Sequence, residues 1–292
     1  MTAPVPTLAE RATPPPLSSP PAVGAGVRGR RQSALLRLRG EIPGGLRLGM
    51  AAAGILTLLL VWHLASTVWA SDGIKVPTIA QTLSALREMW RDGELSGDLA
   101  ASTGRIAIGY LASLVIGIVI GVAVGSFRSV EAFVEPQLGF LRYIPASALT
   151  PLLLIWLGID EAPKLTLIVL GTVFYIALMT ADVVRAVPGP LVNAAYTLGA
   201  GRWTVVRRVV LPHSWPGMID VARINLAAAW LMLVVAELLA ATDGLAFRIV
   251  RAQRFQRIDR MFALLLVFGL IGAASDLFLR WLRNRTAPWA RA

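Results

Sequence analysis

The sequence predicts an all-α, polytopic membrane protein of about six transmembrane helices, and three observations carry that prediction. Apolar residues make up 56% of the 292 positions and charged residues only 15%, with a mean hydropathy of +0.66, far outside the range of a water-soluble domain. Apolar runs near or above the ~20 residues that cross a bilayer as helix recur along the chain. The alternating ~10-residue strands of membrane barrels do not occur, and helices and closed barrels are the two structures that satisfy their own backbone in lipid.

Taken in order, residues 1–47 are rich in Pro, Ala, Ser, Gly and Arg, with Pro14-Pro15-Pro16 and Arg28-Gly29-Arg30-Arg31. They cannot bury enough apolar surface to fold alone and are expected to form a disordered cytoplasmic tail. The first apolar run starts too late, and is too long, for a signal peptide. Spans are expected near 48–70, 105–127, 138–157, 163–183, 217–241 and 261–282, joined by short connections into one domain, 48–289. Arginines set the orientation. Arg11, Arg28, Arg30, Arg31, Arg37, Arg39 and Arg47 precede the first span, and Arg280, Arg283, Arg285 and Arg291 close the last, so both ends are expected in the cytoplasm. Ser71 to Gly104 then lies outside, where Asp72, Glu88, Asp92, Glu94 and Asp98 outnumber Lys75, Arg87 and Arg91. The loop 184–216, with Arg185, Arg202, Arg207 and Arg208, lies inside.

One series disagrees: Arg248, Arg251, Arg254, Arg257 and Arg260 would be external. A repeat of three on a helix of 3.6 residues per turn gives a slowly winding stripe, alternating with Phe247, Ile249, Val250, Phe255 and Ile258. Such a stripe serves either as an interfacial helix with snorkelling arginines or as a positive mouth. On the second reading Arg251, Arg254, Arg257 and Arg260 are candidates to contact an external anion or acidic groups of a partner protein.

The net charge of +11 is almost wholly arginine, since Lys75 and Lys164 are the only lysines. In a membrane chain this means topology and lipid headgroups first. The basic residues are dispersed and lack interleaved aromatic platforms, so nucleic acid is not an expected partner. With no cysteine there is no disulfide, thiol nucleophile or thiolate metal ligand. His63 and His213 are the only histidines, and neither a paired-histidine motif nor a Gly-x-Ser-x-Gly elbow occurs. No catalytic or metal-binding residue is therefore expected. Nor is there a phosphate-binding loop, which needs Gly-Lys before Ser or Thr: Lys75 follows Ile74 and Lys164 follows Pro163.

The most specific pattern lies between the fourth and fifth spans. Asn193-Ala194-Ala195-Tyr196-Thr197-Leu198-Gly199 is followed, after Arg207-Arg208, by Val209-Val210-Leu211-Pro212. Flanked by Pro188-Gly189-Pro190 and by Pro212 and Pro216, it reads as two short helices set apart from the spans, bent at Gly199 and Gly201. A short helix of this kind suits a groove in another protein, with Ala194, Ala195 and Gly199 allowing close approach and Tyr196, Leu198 and Trp203 as apolar anchors. The rival is an amphipathic connector lying on the headgroups.

This spacing resembles the loop of the membrane subunits of bacterial ATP-binding-cassette importers: Glu-Ala-Ala, three residues, Gly, nine residues, Ile, one residue, Leu-Pro. Asn193 stands in the Glu place and Val209 in the Ile place. Ser102-Thr103-Gly104-Arg105 before Gly109-Tyr110, Arg142-Tyr143-Ile144-Pro145, Pro151 through Ile159, and Ala252-Gln253-Arg254-Phe255 with Asp259-Arg260 are similar to the nitrate, sulfonate and taurine branch, over residues 77–289. The resemblance implies a permease subunit in the bacterial inner membrane, carrying a small anion such as nitrate, sulfonate or taurine. It implies a second permease copy, a pair of ATPase subunits that bind ATP and Mg, and an extracytoplasmic solute-binding protein. The cytoplasmic loop, about 184–216, would couple to the ATPase through Asn193, Ala194, Ala195, Tyr196, Leu198, Gly199, Val209, Leu211 and Pro212. Asn193 puts in doubt any salt bridge the usual acid would make, though asparagine can cap a helix. The alternatives are an ATP-independent secondary carrier or channel, against which no inverted repeat is evident, and a scaffold for some other cytoplasmic enzyme.

Within the expected third span, Pro145, Ser147, Thr150 and Pro151 are candidates to line a pore, because proline frees carbonyls that lipid does not tolerate; a packing kink is the rival. Charges inside spans need partners. Asp276 and Arg280, four apart, are expected to pair, and Glu237 to find Arg105 or an arginine of the 248–260 series.

Overall fold

The computed structural model describes residues 43–68 and 76–291, and among these every regular element is helical. Residues 1–42 of the expected tail, together with Asp72 and Lys75, lie outside the described residues. The chain forms two compact units, one ending at Leu58 and one beginning at Leu59. Of the first, Gly44–Leu58 is described, an exposed apolar length of α1 (Gly44–Val68).

In the second unit the central contact is between α3 (Glu94–Ser126) and α6 (Glu161–Arg185). Without a hydrophobic force between helices in lipid, close packing has to come from small residues. Gly109, Gly117, Gly121 and Gly125 of α3 meet Ile168, Ile176, Thr180 and Val184 of α6. A Cβ on Gly117 would stand 2.7 Å from Ile176 Cγ2, and one on Gly125 2.7 Å from Val184 Cβ. Both numberings rise together, so the two helices run parallel. α9 (Leu211–Ala240) runs against them: Gly171 packs on Met232, Gly217 on Val183, and Tyr110 Oη donates to the Ala222 carbonyl. Ile106, Tyr110, Ile168, Ile176, Val221, Leu226, Ala229 and Leu233 fill the space between the three. α11 (Ile258–Thr286) lies antiparallel to α9, joined by Arg223–Asp276 at 3.0 Å and by the edge-on rings of Trp230 and Phe268.

Five helices are long and apolar enough to cross a membrane. A sixth crossing follows from the parallel pair, because the chain must return from the C-terminal end of α3 to the N-terminal end of α6. It does so through α4 (Arg128–Leu141), a short 3₁₀ turn (Ala146–Leu149) and α5 (Thr150–Leu157), bent by 76°. This corrects the single helix expected at 138–157. Pro145 lacks an N–H and disfavours helix at Ile144, while the Tyr143 and Ile144 amides close tight turns onto Phe140 and Leu141.

The fifth span also departs from expectation. α7 (Gly189–Thr197) is separate, but α8 (Arg202–Val205) runs through a π turn, Val206–Val210, directly into α9, giving one apolar helix, Arg202–Leu238. The Leu211 amide bonds five residues back to Val206 O. The wide turn restarts the helix at Leu211, so Pro212 falls in a first turn where its missing N–H costs little.

Outside the spans, α2 (Ile79–Arg91) opens on a capping box between Thr78 and Gln81 and buries Ala85 and Met89 against Leu95, Leu245, Leu264 and Val267. α10 (Leu245–Arg254) is amphipathic and ends at Phe255-Gln256, where Gln256 has φ 54. The 248–260 arginines therefore sit on a helix, a turn and the start of α11, not on one winding stripe. α2, α10 and the N-terminal ends of α3 and α6 share one end of the bundle; α7 and α8 lie at the other.

Gly121→Ala tests the α3–α6 contact. Its Cβ would meet Ala177 O and Thr180 Cβ within 3 Å, so a loss of about 1–3 kcal/mol is expected, read as a lower melting temperature in detergent. Gly269→Ala, with nothing within 4 Å, leaves melting unchanged.

Candidate coupling surface and the polar network at the opposite end

α7 is built to be displayed. Pro190 suits its first turn, and Leu191 N donates to Pro188 O at 3.0 Å. It stops at Gly199, whose φ of +80° is the left-handed region glycine enters without strain. Gly199 N bonds to Tyr196 O and Ala200 N to Ala195 O, the paired bonds of a Schellman turn. Val192, Ala195 and Ala200 pack inward on Val184, Val187, Val205, Val210 and Met218. That cluster fixes α7 to the ends of α6 and α9. Facing out are Tyr196 (47% exposed), Leu198 (87%) and Trp203 (70%), three large apolar groups with little of this chain over them.

Of the sequence-selected residues, Asn193, Ala194, Tyr196, Leu198, Gly199 and Pro212 are exposed, whereas Ala195, Val209 and Leu211 pack toward the body. Ala195 thus anchors the helix to its own chain and does not permit an outside approach. Asn193 is the fifth residue of α7, so it caps nothing; the N-cap is Pro188. Arg202, Arg207 and Arg208 are exposed beside this surface and hold no carboxylate among the described residues. Behind α7 a cavity of about 460 Å³ is lined by Ser126, Phe127, Arg185, Tyr196 and Val205 among others.

The opposite end is held by a polar network centred on the buried Arg105 and Glu237, with Glu161 and Asp243 more than half exposed at its rim. Its guanidinium takes both Glu161 oxygens (2.7 and 2.8 Å), Glu237 Oε1 (3.0 Å), the Asp243 carbonyl (3.1 Å) and the Asp243 carboxylate. Lys164 adds a contact to Glu161 at 2.8 Å. Ser102 Oγ donates to Glu237 Oε1 at 2.6 Å and accepts from the Leu245 amide, while Ala246 N donates to Glu237 Oε2. One turn earlier, Asp98 accepts from the Gly244 amide and from Arg248. α3, α6, α9 and the start of α10 are thereby tied at one level. The ion pair expected for Glu237 is with Arg105, and Asp276 holds Arg280 at 2.7 Å as expected while also holding Arg223. Sequence reasoning missed Asp98, Glu161 and Lys164 here; the signal was three charges at the mouths of apolar spans.

Around this end Arg248 contacts Glu94 and Asp98, Arg257 contacts Glu88 and Asp259, and Arg260 contacts Glu88 and Glu94. Arg260 and Arg257 hold the Glu88 carboxyl below its usual pKa. A lowered carboxylate pKa means the contact is present at neutral pH and lost only as pH falls below the ordinary glutamate range. Arg251 and Arg254 alone of the series are exposed and hold no carboxylate among the described residues. A cavity of about 310 Å³ lined by Arg251, Phe255, Arg257 and Arg260 opens there. In the broken crossing Pro145, Ser147 and Pro151 are exposed; Thr150 is buried and donates to Ser147 O at 2.8 Å.

Six crossings, a short helix displayed at one end and a charge-locked opposite end define a helical membrane permease subunit. The chain belongs to the family of binding-protein-dependent transport system inner membrane components, which matches residues 84–288. It is 33% identical over 258 residues to the taurine transport system permease protein TauC of Escherichia coli, covering 87% of this chain and 94% of that one. It is 31% identical over 249 residues to SsuC of Bacillus subtilis, named for aliphatic sulfonates transport (85% and 90%), and 28% identical to the bicarbonate transport system permease protein CmpB of Synechococcus elongatus (88% and 94%). The fold is similar to that of a chain from an inward-facing MetNI methionine ABC transporter, with a TM-score of 0.56 at 18% identity, covering 66% of this chain and 95% of that one.

Arg105→Met strips Glu237 of its cation in a buried site, and a loss of about 3–5 kcal/mol is expected. Pairing it with Glu237→Met restores a large part, and the double-variant cycle in detergent melts checks the coupling.

Proposed function

We propose that the chain is the transmembrane subunit of an ATP-driven importer for a small anion of the sulfonate, taurine, nitrate or bicarbonate kind. Its α7 end is cytoplasmic, as the arginine distribution favours, and docks on a separate pair of ATPase subunits that hold ATP and Mg. The α2 and α10 end faces outward, where Arg251 and Arg254 offer charge to an acidic binding protein. A second copy completes the permease in the bacterial inner membrane.

The single observation that carries this reading is the surface of α7 and α8. Leu198 and Trp203 stand exposed on elements locked to the chain's own body by a Schellman turn and a valine cluster. Closure of the ATPase pair pushes on that surface. Because Val192 and Ala195 pack on residues of α6 and on the π turn leading into α9, the push is delivered to two spanning helices together, and the Arg105 network carries it to α3 and α10. The opening toward the outside is then a rigid-body change. ATP favours that state by binding the closed arrangement better; equal affinity for both states would move nothing.

Leu198→Asp places charge on an 87% exposed position, so the fold and melting temperature are retained; Trp203→Asp also gives up an edge-on contact with Phe127 and melts slightly lower while still folding. Co-purification of an ATPase from native membranes, and ATP-dependent taurine uptake by the reconstituted assembly, are each expected to fall by roughly tenfold or more, in line with loss of a buried apolar anchor. Gly199→Val forces a side chain into the left-handed region at a cost of about 1–2 kcal/mol and lowers both readouts less. Uptake that proceeds without ATP and survives all three changes would sink the proposal and leave a self-sufficient carrier.

A further inference from the structure

Arg142 lies at the break of the third crossing, half-buried, its guanidinium 5.1 Å above the Tyr143 ring and 3.3 Å from Tyr143 Oη. Its carbonyl accepts a hydrogen bond from Tyr175 Oη at 3.0 Å. Tyr175 stands 11 residues after Lys164 and 10 before Arg185 on α6, about 16 and 15 Å of helix rise. The break is therefore held at mid-depth.

The other cations along this stretch of the bundle are paired. Arg105 and Lys164 hold Glu161, Arg185 holds Glu131, Glu135 and Asp182, and Arg223 holds Asp220 and Asp276. Arg142 has no carboxylate partner among the described residues, and a guanidinium does not shed its proton. Facing hydrocarbon it would cost ~2.5–3.5 kcal/mol or more, and headgroups ~15 Å away in a ~30 Å core are beyond its reach. A second copy related by an axis along the membrane normal keeps each residue at its depth. The described carboxylates of the bundle stand nearer its ends, so a copy brings no partner at this depth either. What remains is water and a passing anion.

We propose that Arg142 is an intramembrane contact for a small oxyanion, a sulfonate or carboxylate, on the transport path, with Tyr175 pinning its backbone and the exposed Tyr143 hydroxyl beside it. The planar fork of the guanidinium matches two oxygens of such a group. Resting on the importer reading, this places charge selection inside the membrane as well as outside it. Ser147, exposed just past the turn, supplies a further hydroxyl at the same break.

The chain contains no cysteine, which allows a charge measurement independent of transport. Ile144→Cys, 39% exposed in the parent, is made in the full assembly in proteoliposomes. Its modification by an anionic sulfonatoethyl and a cationic trimethylammonioethyl methanethiosulfonate is followed on this chain by mass spectrometry, with and without ATP. Relative to Arg142→Gln, the anionic reagent is expected to react roughly tenfold faster and the cationic one roughly tenfold slower, so that their ratio changes about a hundredfold, the effect of one charge about 10 Å away at an effective dielectric near 20. Arg142→Lys keeps the preference. An unchanged ratio in Arg142→Gln, a preference lost in Arg142→Lys as well, or no reaction with either reagent in either condition would each overturn the proposal. Absence of ATP-dependent taurine uptake by the parent assembly counts against the importer reading alone, and the labelling ratio still decides Arg142.

Discussion

The parallel contact of α3 with α6 is the constraint from which the rest of the bundle follows. Lipid offers no hydrophobic reward for helix association, so two apolar helices stay together only where their backbones come close. The glycines from Gly109 to Gly125 make that approach, and at Gly117, Gly121 and Gly125 α6 leaves no room for a Cβ. Once the two helices point the same way, the intervening chain must recross the membrane, and α9 and α11 fill the outer faces in the opposite and the same sense. The Arg105 network then closes one end over a core that is mostly apolar, with Ser113 and Thr172 hydrogen-bonded within it.

Burying Arg105 with Glu237 is costly in itself. A buried ion pair is weak evidence of stability, because desolvation offsets much of the Coulomb gain. Its effect here is geometric: five acceptors on one guanidinium fix the level of α3 against α6, α9 and the 243–246 turn at once. The other end has its own ion pairs, Arg185 with Glu131, Glu135 and Asp182, but these join α4 to α6. α7 is held by valines and by backbone bonds around Gly199, and large apolar groups there face outward.

Much of this was legible in the chain. Hydropathy pointed to about six crossings, of which five are single long helices and the third is a bent pair, and the spacing from Asn193 to Pro212 marked the displayed helix. Pairwise geometry was not legible. Ala195 looks like a contact residue until the cluster around Val187 shows it turned inward. The arginines from 248 to 260 look like one positive surface, but Glu88, Glu94 and Asp98, far off in sequence, and Asp259 within the series engage Arg248, Arg257 and Arg260. Proline misled in both directions. Pro145 breaks a helix as its chemistry dictates, while Pro212 is absorbed because a π turn moves it into a first turn, a feature without a local sequence signature.

That same π turn sets how far the exposed α8 surface stands from the bundle. Because it joins α8 to α9 without a break, the helix from Arg202 to Leu238 contains 37 residues, about 55 Å at 1.5 Å per residue, longer than a whole bilayer of ~40–45 Å with its headgroups. Gly217 packs on Val183, near the end of α6, so the excess falls on the Arg202 side. Trp203 and its neighbouring arginines are thereby carried clear of the lipid on a stalk continuous with the membrane helix, and what touches them there is solvent or protein.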